Sequence, residues 1–361
     1  MPIDEVDTPA LLLDLDAFEA NLAALHDAVR GSGARVRPHA KSHKCAEIAR
    51  RQIAAGAIGI CCQKVSEAEA FIDAGIRDVT VTNEVVGAQK LRRLAHLARR
   101  ARISVCVDDP ANVAELSEAA DRAGVVIDVL VEIDVGARRC GVPPGEAAVS
   151  LVRAVKAAPF LRFAGLHAYQ GSAQHVRAVT ERRQQAAFAA DYAAVTRDAL
   201  ARYNIACETI TGGGTGTYLF DAASRVYNEL QPGSYIFMDA DYRRNDWDDR
   251  AQFLQSLFVL TGVMSTSGAG HVVVDAGLKA LAVDSGLPAV HGRAGLEYTK
   301  ASDEHGVIGV ADRAVRPRLG ERLWLVPGHC DPTVNLYDHI VAYRADRVEA
   351  IWPVVARGAL W

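Results

Sequence analysis

Long apolar segments are missing from this sequence of 361 residues. No apolar run approaches the roughly 18 residues that a membrane-spanning helix needs. The N-terminal residues 1–7 contain no basic region followed by an apolar core, so they do not have the pattern of a secretion signal. We therefore expect a cytoplasmic protein that does not bind membranes.

An excess of one charge is also missing. The chain has 40 Lys and Arg against 44 Asp and Glu, a formal net charge of −4, and the two signs are interleaved. No basic run is long enough to form a nucleic-acid surface. The expected partner is a small molecule, not a nucleic acid.

Paired cysteine motifs are absent as well. The seven cysteines are an odd number and show no Cys-x-x-Cys spacing. This pattern is typical of reduced thiols buried as small apolar side chains, and it argues against a disulfide framework. Half of the residues are apolar, which is enough for a sizeable core in one large domain and a smaller one.

What the sequence does contain is a regular alternation of short β-rich runs and helical stretches. The eight β-rich runs are 34–39, 58–62, 79–83, 103–108, 127–133, 163–168, 208–211 and 229–237. Strict alternation predicts parallel strands joined by crossover helices. Eight such units favour a closed (β/α)8 barrel of the TIM type over an open doubly wound sheet.

After the barrel pattern, the sequence changes to β-rich segments separated by Gly and Pro turns. This change predicts a second, all-β domain. We assign residues 1–20 to an N-terminal strand, 21–249 to the barrel and 250–361 to a C-terminal β domain.

Lys41 lies in the segment Arg37-Pro38-His39-Ala40-Lys41-Ser42-His43-Lys44, after the first barrel run. Pro38 keeps the preceding residue extended, so Lys41 falls at the carboxyl end of a barrel strand, where catalytic groups lie. A lysine whose pKa is lowered by desolvation or nearby cations can form an imine with an aldehyde cofactor. The segment supplies such cations: Arg37, His39, His43 and Lys44. A solvated basic loop is the alternative interpretation.

Thr211-Gly212-Gly213-Gly214-Thr215-Gly216-Thr217 follows the seventh run. Consecutive glycines let backbone N–H groups converge on an anion, and threonine hydroxyls add donors, so the segment predicts a phosphate site. It is not a P-loop, because no Gly-Lys-Ser/Thr follows. A plain glycine-rich turn is the alternative.

A His-x-Asp pair occurs in Pro327-Gly328-His329-Cys330-Asp331-Pro332-Thr333-Val334-Asn335. If this segment is extended, residues i and i+2 share a face, so His329 and Asp331 can bind one ion while Cys330 points away. Two protein ligands of this kind, with the other positions left to water and substrate, suit Mn²⁺ or Mg²⁺ better than a closed zinc site.

Together these segments resemble the fold-type III pyridoxal phosphate enzymes, in the branch that holds D-threonine aldolases, D-3-hydroxyaspartate aldolases and D-serine dehydratases. The resemblance covers nearly the whole chain. It implies an alanine racemase-like fold in which the first strand pairs with the C-terminal domain, and a homodimer with shared active sites. It also implies pyridoxal 5'-phosphate on Lys41 and Mn²⁺ (or Mg²⁺) on His329 and Asp331.

The resemblance assigns further site residues. A Gly-x-x-Arg-Cys-Gly motif places Arg139 in the cofactor pocket, and a salt bridge to Asp134 or Glu132 is the alternative. Tyr169 resembles a tyrosine beside the cofactor, and His175 resembles a histidine that faces the reacting centre. The implied phosphate contacts are Gly214, Thr215, Gly233 and Tyr235.

The activity implied is that of a lyase that cleaves D-threonine to glycine and acetaldehyde by retro-aldol Cα–Cβ cleavage. Asp331 favours an aldolase, because the dehydratases of this branch tend to have cysteine at the second ligand position. The alternatives are a D-3-hydroxyaspartate aldolase, giving glycine and glyoxylate, and a D-serine or D-3-hydroxyaspartate dehydratase. For a substrate with a second carboxylate, Arg243 and Arg244 are the candidate binding groups.

Overall fold

The computed structural model describes residues 1–247 and 253–361. It divides into two compact units. The barrel unit comprises Leu25–Lys41, Ala46–Gly233 and Gly358–Trp361, and the β unit comprises Met1–Ala24, Ser42–Cys45 and Ser234–Arg357. The domain boundary predicted at residues 249 and 250 lies outside the described residues.

The secondary structure is numbered in chain order. The strands are β1 (Ala10–Asp14), β2 (Arg35–Val36), β3 (Ile60–Cys62), β4 (Asp78–Glu84), β5 (Arg102–Val107), β6 (Ile127–Glu132), β7 (Leu161–Ala168), β8 (Thr209–Gly212), β9 (Glu229–Leu230), β10 (Leu257–Ser265), β11 (His271–Val274), β12 (Ala289–Val290), β13 (Leu296–Ala301), β14 (Gly306–Val310), β15 (Arg322–Val326), β16 (His339–Arg344) and β17 (Arg347–Pro353). The α-helices are α1 (Leu15–Val29), α2 (Ala46–Ala54), α3 (Val65–Asp73), α4 (Ala88–Leu97), α5 (Pro110–Ala123), α6 (Glu146–Ala157), α7 (Val179–Arg202), α8 (Tyr218–Ser224), α9 (Ala240–Arg243) and α10 (Cys330–Val334).

The barrel unit contains an eight-stranded parallel sheet in the order β2-β9-β8-β7-β6-β5-β4-β3. The two end strands meet beyond the end of β2, where His39 forms a parallel bridge with Cys61. There the amide of Ala40 donates to the carbonyl of Cys61, and the amide of Cys61 donates to that of Pro38, both at 2.8 Å. The predicted fold class, a TIM-type barrel with a separate β domain, is confirmed.

The first barrel strand is shorter than the β-rich run 34–39 predicts. Only Arg35 and Val36 form a ladder with β9. The amides of Arg37 and His39 still donate to the carbonyls of Leu230 and Pro232, at 2.9 and 3.1 Å. Pro232 has no N–H to donate back, so the regular ladder does not continue past Val36. The strand ends early, and the chain turns at Ala40 and Lys41.

The β unit is built on a nine-stranded sheet. Its main order is β13-β14-β11-β10-β1-β16-β17, and β15 pairs with β10 and β12. β1 lies antiparallel to β10 and parallel to β16, so the N-terminal strand is an internal strand of this sheet. Its Leu12 belongs to a buried cluster together with Val6, Phe258, Leu260, Val326 and Tyr343.

None of the helices in the described residues has both the length and the apolar character needed to span a bilayer.

Candidate active site

Lys41 is half-buried and follows the bridge that closes the barrel sheet. Its backbone amide lies 3.4 Å from Nδ1 of His39. Nε2 of His39 is 2.9 Å from the hydroxyl of Thr82 and 3.0 Å from the amide nitrogen of Gln63, so the imidazole is held in place by β4 and the turn after β3. The lysine backbone is therefore anchored at the carboxyl end of the barrel.

Arg37 does not lie beside Lys41, although the sequence suggested it as a neighbouring cation. Its side chain is buried, and its Nε and Nη1 atoms are 3.0 Å from Glu229 and 2.5 Å from Asp78. Both acids stand where β9 and β4 begin. The guanidinium thus points to the amino end of the strands and neutralises carboxylates there, away from Lys41 at the carboxyl end.

The glycine-rich loop joins β8 to α8. A Cβ on Gly214 would lie 2.5 Å from the side-chain oxygen of Gln174, and one on Gly216 would lie 2.4 Å from the Gln174 carbonyl. The Gly216 amide donates to Gln174 Oε1 at 2.9 Å, and the Gly214 amide donates to Thr217 Oγ1 at 3.3 Å. These two amides are used within the protein, so the loop offers fewer free backbone donors than its sequence suggests.

Thr215 differs from these two glycines, because its hydrogen-bonding group is not used within the described residues. Its side chain is 1 % exposed, and its hydroxyl has no hydrogen-bond partner among the described residues. The neighbouring hydroxyl of Thr217, by contrast, donates to Asp221 at 2.6 Å and accepts from Gln174 at 2.9 Å. A buried hydroxyl without a partner costs stability, so Thr215 is the loop group most suited to an added acceptor such as a phosphate oxygen.

Asp221 lies behind the same loop and was not singled out from the sequence. Burial raises its pKa to about 7. Its carboxyl group is therefore partly protonated at neutral pH, which reduces the negative charge where an anion would bind. Asp221 and Gln174 carry no motif, so their role was visible only after folding.

Arg139 and Tyr169 stand together in the loops after β6 and β7. The guanidinium carbon of Arg139 lies 5.7 Å from the centre of the Tyr169 ring, within cation–π range. Its Nη2 is 4.0 Å from Glu132, and its side chain is 52 % exposed. Asp134 instead accepts the backbone amides of Gly136 and Arg138. The Glu132 contact is long, so Arg139 keeps most of its donors available.

His175 ends a short 3-10 turn, Ser172–His175, and its side chain is exposed. Gln174, the residue before it, is the one that packs against the glycine-rich loop. The predicted residues of the barrel unit all follow carboxyl ends of its parallel strands, so they belong to one mouth of the barrel. They are Lys41, Arg139, Tyr169, His175, Gly214, Thr215 and Gly233.

Two groups of metal-capable side chains also lie in the barrel unit. Cys106, Glu132 and His167 form one, and Glu84, Asp108 and Cys140 form the other. In the first group both ring nitrogens of His167 already have protein partners. In the second, burial and the charge of Glu132 raise the pKa of Glu84 to about 7. We interpret both groups as hydrogen-bonding or proton-sharing clusters.

His329 and Asp331 lie in the β unit, and the expectation of an extended segment is wrong. His329 is extended, but it caps the helix α10, whose second residue is Asp331. The amide of Cys330 donates to Asp239 at 2.9 Å, which helps to start this helix. Cys330 itself is fully buried.

The two predicted metal ligands are nevertheless close enough for the charge of Asp331 to act on His329. Burial opposes protonation of His329, but the charges of Asp331 and Asp284 raise its pKa. Nδ1 of His329 is 2.8 Å from Asp284, a contact that leaves Nε2 for another partner. Sequence reasoning missed Asp284, which lies 45 residues earlier and carries no motif.

Tyr235 also lies in the β unit, in the turn Ser234–Ile236. It is fully buried, and its ring centre is 5.4 Å from that of Phe253. This packing fixes the tyrosine side chain within the β unit.

Both halves of the chain match known protein families. Residues 13–241 match the family described as "Alanine racemase, N-terminal domain", and residues 256–343 match the "Putative serine dehydratase domain". The chain is 53 % identical to a D-threonine aldolase from Arthrobacter sp and 48 % identical to a 3-hydroxy-D-aspartate aldolase from Paracoccus denitrificans. Each match covers 99 % of this chain and 94 % of the relative.

A solved structure of D-threonine aldolase from Filomicrobium marinum is also similar. It is 53 % identical in sequence, its TM-score is 0.99, and the match covers 100 % of this chain and 98 % of that one.

Proposed function

Because this chain belongs to the alanine racemase-like family, in the branch that contains D-threonine aldolase and 3-hydroxy-D-aspartate aldolase, we propose that it is a lyase that cleaves D-3-hydroxy amino acids between Cα and Cβ. The observation that carries the proposal is the 53 % identity to D-threonine aldolase over 99 % of the chain. An identity that spans both units is what a shared reaction requires, since the lysine and the His-x-Asp pair lie in different units.

The barrel mouth fits pyridoxal 5'-phosphate. Lys41 would attach its aldehyde carbon, Arg139 and Tyr169 would contact the ring, and Gly214, Thr215, Gly233 and Tyr235 would contact the phosphate. The buried, unpartnered hydroxyl of Thr215 supports this assignment. When bound, this cofactor serves as an electron sink for the carbanion left by Cα–Cβ cleavage.

The β unit fits a divalent cation on His329 and Asp331. A ligating histidine usually donates its other ring N–H to a carboxylate, and Asp284 stands in that position on Nδ1. The imidazole Nε2 and the Asp331 carboxylate suit Mn²⁺, or more weakly Mg²⁺. A bound cation lowers the pKa of a hydroxyl that it contacts. The proton of the substrate 3-hydroxyl would pass to His175 or to a water bound by the cation.

Thr215→Val tests the phosphate assignment. We expect the free energy of unfolding of the cofactor-free protein to stay equal or rise, because the lost hydroxyl has no protein partner. Affinity for the cofactor should fall by roughly 10-fold, the worth of one charge-assisted hydrogen bond. Cofactor titration and thermal unfolding measure the two effects.

Thr217→Val is the matched control for that change. Its hydroxyl bonds Asp221 and Gln174, so this variant should lose about 1–3 kcal/mol of unfolding free energy even without cofactor. If Thr215→Val also destabilises the cofactor-free protein and leaves cofactor affinity unchanged, Thr215 is not a phosphate contact.

The reaction type is tested by assaying D-threonine and D-serine side by side. We expect D-threonine to yield glycine and acetaldehyde faster than D-serine yields pyruvate and ammonia, because the second ligand position holds Asp331. Quantifying both product pairs from both substrates decides it. Dominant pyruvate formation would assign the chain to the dehydratases instead.

A substrate with a second carboxylate, such as D-3-hydroxyaspartate, requires a cationic side chain of the protein to bind that carboxylate. Both Arg243 and Arg244 are exposed, but Arg244 is bound to Asp241 and to the carbonyl of Ser285. If D-3-hydroxyaspartate is the preferred substrate, Arg243→Ala should lower its kcat/KM relative to that of D-threonine. Arg244→Ala serves as the control, and an unchanged substrate ratio in the Arg243 variant removes Arg243 from this role.

The remaining parts of the proposal concern location and assembly. All seven cysteines are free, which fits a reducing compartment such as the cytoplasm. We also propose a homodimer with shared active sites, on the strength of the family resemblance, and light scattering of the purified protein measures its mass directly.

A further inference from the structure

A continuous chain of buried polar side chains crosses the inside of the barrel unit. Nδ1 of His167 is 3.0 Å from Glu132, and its Nε2 is 3.2 Å from the side-chain oxygen of Gln231. The Gln231 amide nitrogen donates to Thr211 at 2.7 Å, and the Thr211 hydroxyl donates to Glu229 at 3.0 Å. All five side chains are at most 4 % exposed.

The two ends of this chain lie at opposite ends of the barrel. Glu229 accepts Nε of Arg37 and lines a cavity of about 640 Å³ at the amino end of the strands. Glu132 faces Arg139 at 4.0 Å, in the loop that follows the carboxyl end of β6. The hydrogen-bonded chain therefore connects the amino end of the barrel strands to the neighbourhood of Arg139.

The direction of donation depends on the proton count of His167. With protons on both nitrogens, His167 donates to Glu132 and to Gln231, so Gln231 presents its amide nitrogen to Thr211 and Thr211 donates to Glu229. All four bonds are then made with correct donors and acceptors.

A neutral ring beside an ionised Glu132 cannot satisfy the same arrangement. If its proton stays on Nδ1 toward Glu132, the lone pair of Nε2 faces the oxygen of Gln231, and the amide must turn over. Thr211 must then donate to Gln231 and loses its bond to Glu229. The buried network then lacks the bond between Thr211 and Glu229. The free-energy cost of that loss favours the doubly protonated ring.

The carboxylates near His167 act in the same direction. They are Glu132 on β6 and Glu84 on β4, whereas the cation Arg139 lies beyond Glu132 and the thiol of Cys106 lies on β5. Burial lowers the pKa of His167, but the charge and hydrogen bond of Glu132 outweigh it and raise that pKa. Burial and Glu132 raise the pKa of Cys106, so its thiol stays neutral.

We propose that His167 is a positioning residue of this aldolase: an imidazolium that donates both ring N–H groups, fixes the donor direction of the chain and holds Glu132 toward Arg139. The step from Arg139 to the reaction rests on the proposed function. The protonation of His167 and the direction of its hydrogen bonds do not rest on the proposed function.

Nitrogen-15 NMR of the holoenzyme with labelled histidine tests the protonation directly. We expect the ring of His167, assigned from its missing signals in His167→Gln, to show two N–H groups from about pH 7 to about pH 7.5, just above the ordinary pKa of a histidine side chain. A ring with one N–H across this range would overturn the proposal. Because the spectrum does not depend on turnover, the inference and the proposed function fail separately.

Glu132→Gln tests the link to the reaction. Loss of the carboxylate should remove one N–H signal of His167 within that range and lower kcat for D-threonine by roughly 10-fold to 100-fold, with the cofactor still bound. His96→Gln, an exposed histidine on α4, should change neither kcat nor its pH profile. If Glu132→Gln keeps both N–H signals and full kcat, Glu132 does not set the state of His167 and the proposal fails. If the variant does not fold, the wild-type spectrum decides.

Discussion

Lys41→Ala is expected to lower the rate of D-threonine cleavage by roughly 1000-fold or more, because it removes the amine that would attach the cofactor. The protein should still fold, since the Lys41 side chain is only half-buried and the local backbone is held through His39. The cofactor should be lost on dialysis from the variant and retained by the wild type. Turnover assays and visible absorbance of the dialysed proteins measure the two effects.

Chemical trapping gives an independent readout of the same residue. Borohydride reduction of the wild-type protein should leave the cofactor covalently attached to the peptide that contains Lys41. Lys90→Ala, which changes an exposed lysine on α4, should behave as the wild type. A mass spectrum that finds the reduced cofactor on another lysine would refute the assignment of Lys41.

Removal of the proposed metal ion has the second largest expected effect. A site with two protein ligands should release its ion to a chelator, and D-threonine cleavage should then fall by roughly 100-fold or more, the scale of losing a Lewis acid at the reacting hydroxyl. Cofactor absorbance should persist, because Lys41 and Thr215 belong to the barrel unit and not to the metal site. Mn²⁺ should restore activity better than Mg²⁺, since it binds imidazole more strongly.

Variants in the β unit distinguish the two proposed metal ligands from Asp284, which orients the imidazole of His329. Asp331→Ala should abolish metal-dependent activity, whereas Asp284→Asn should weaken metal affinity by roughly 10-fold, because it leaves both ligands and only loosens the imidazole. Asp331→Cys should shift the preference toward Zn²⁺, because a thiolate is the softer ligand. Asp346→Asn, in the exposed turn between β16 and β17, is the control. Full aldolase activity after complete metal removal would refute activation of the 3-hydroxyl by the ion.

Much of the barrel was predictable from the sequence because its signals are local. A β-rich run followed by a helical stretch recurs eight times, and such alternation permits few arrangements. Lys41 and the glycine-rich loop could be placed at strand ends for the same reason. The prediction was weaker where strands are very short: β12 has two residues, so neither length nor alternation distinguishes it from a turn.

The helix at the His-x-Asp pair shows a second limit of local reasoning. Pro-Gly before His329 and Pro332 after Asp331 favour an extended or turning segment on sequence grounds. Proline is also tolerated in the first turn of a helix, where the amide would have no helical partner. The helix is favoured by Asp239, 91 residues away, because its side chain accepts a hydrogen bond from the amide of Cys330 at the start of the helix.

The sequence by itself determined the fold class, the family and the residue types available for chemistry. Only the tertiary structure decided which partners those residues have: Asp284 for His329, Gln174 for the glycine-rich loop, and Gln231 for His167. These partners are 42 to 64 residues apart in the chain. Spacing along a strand or helix predicts contacts within a few residues, whereas pairs this distant meet only because the folded sheets bring their elements together.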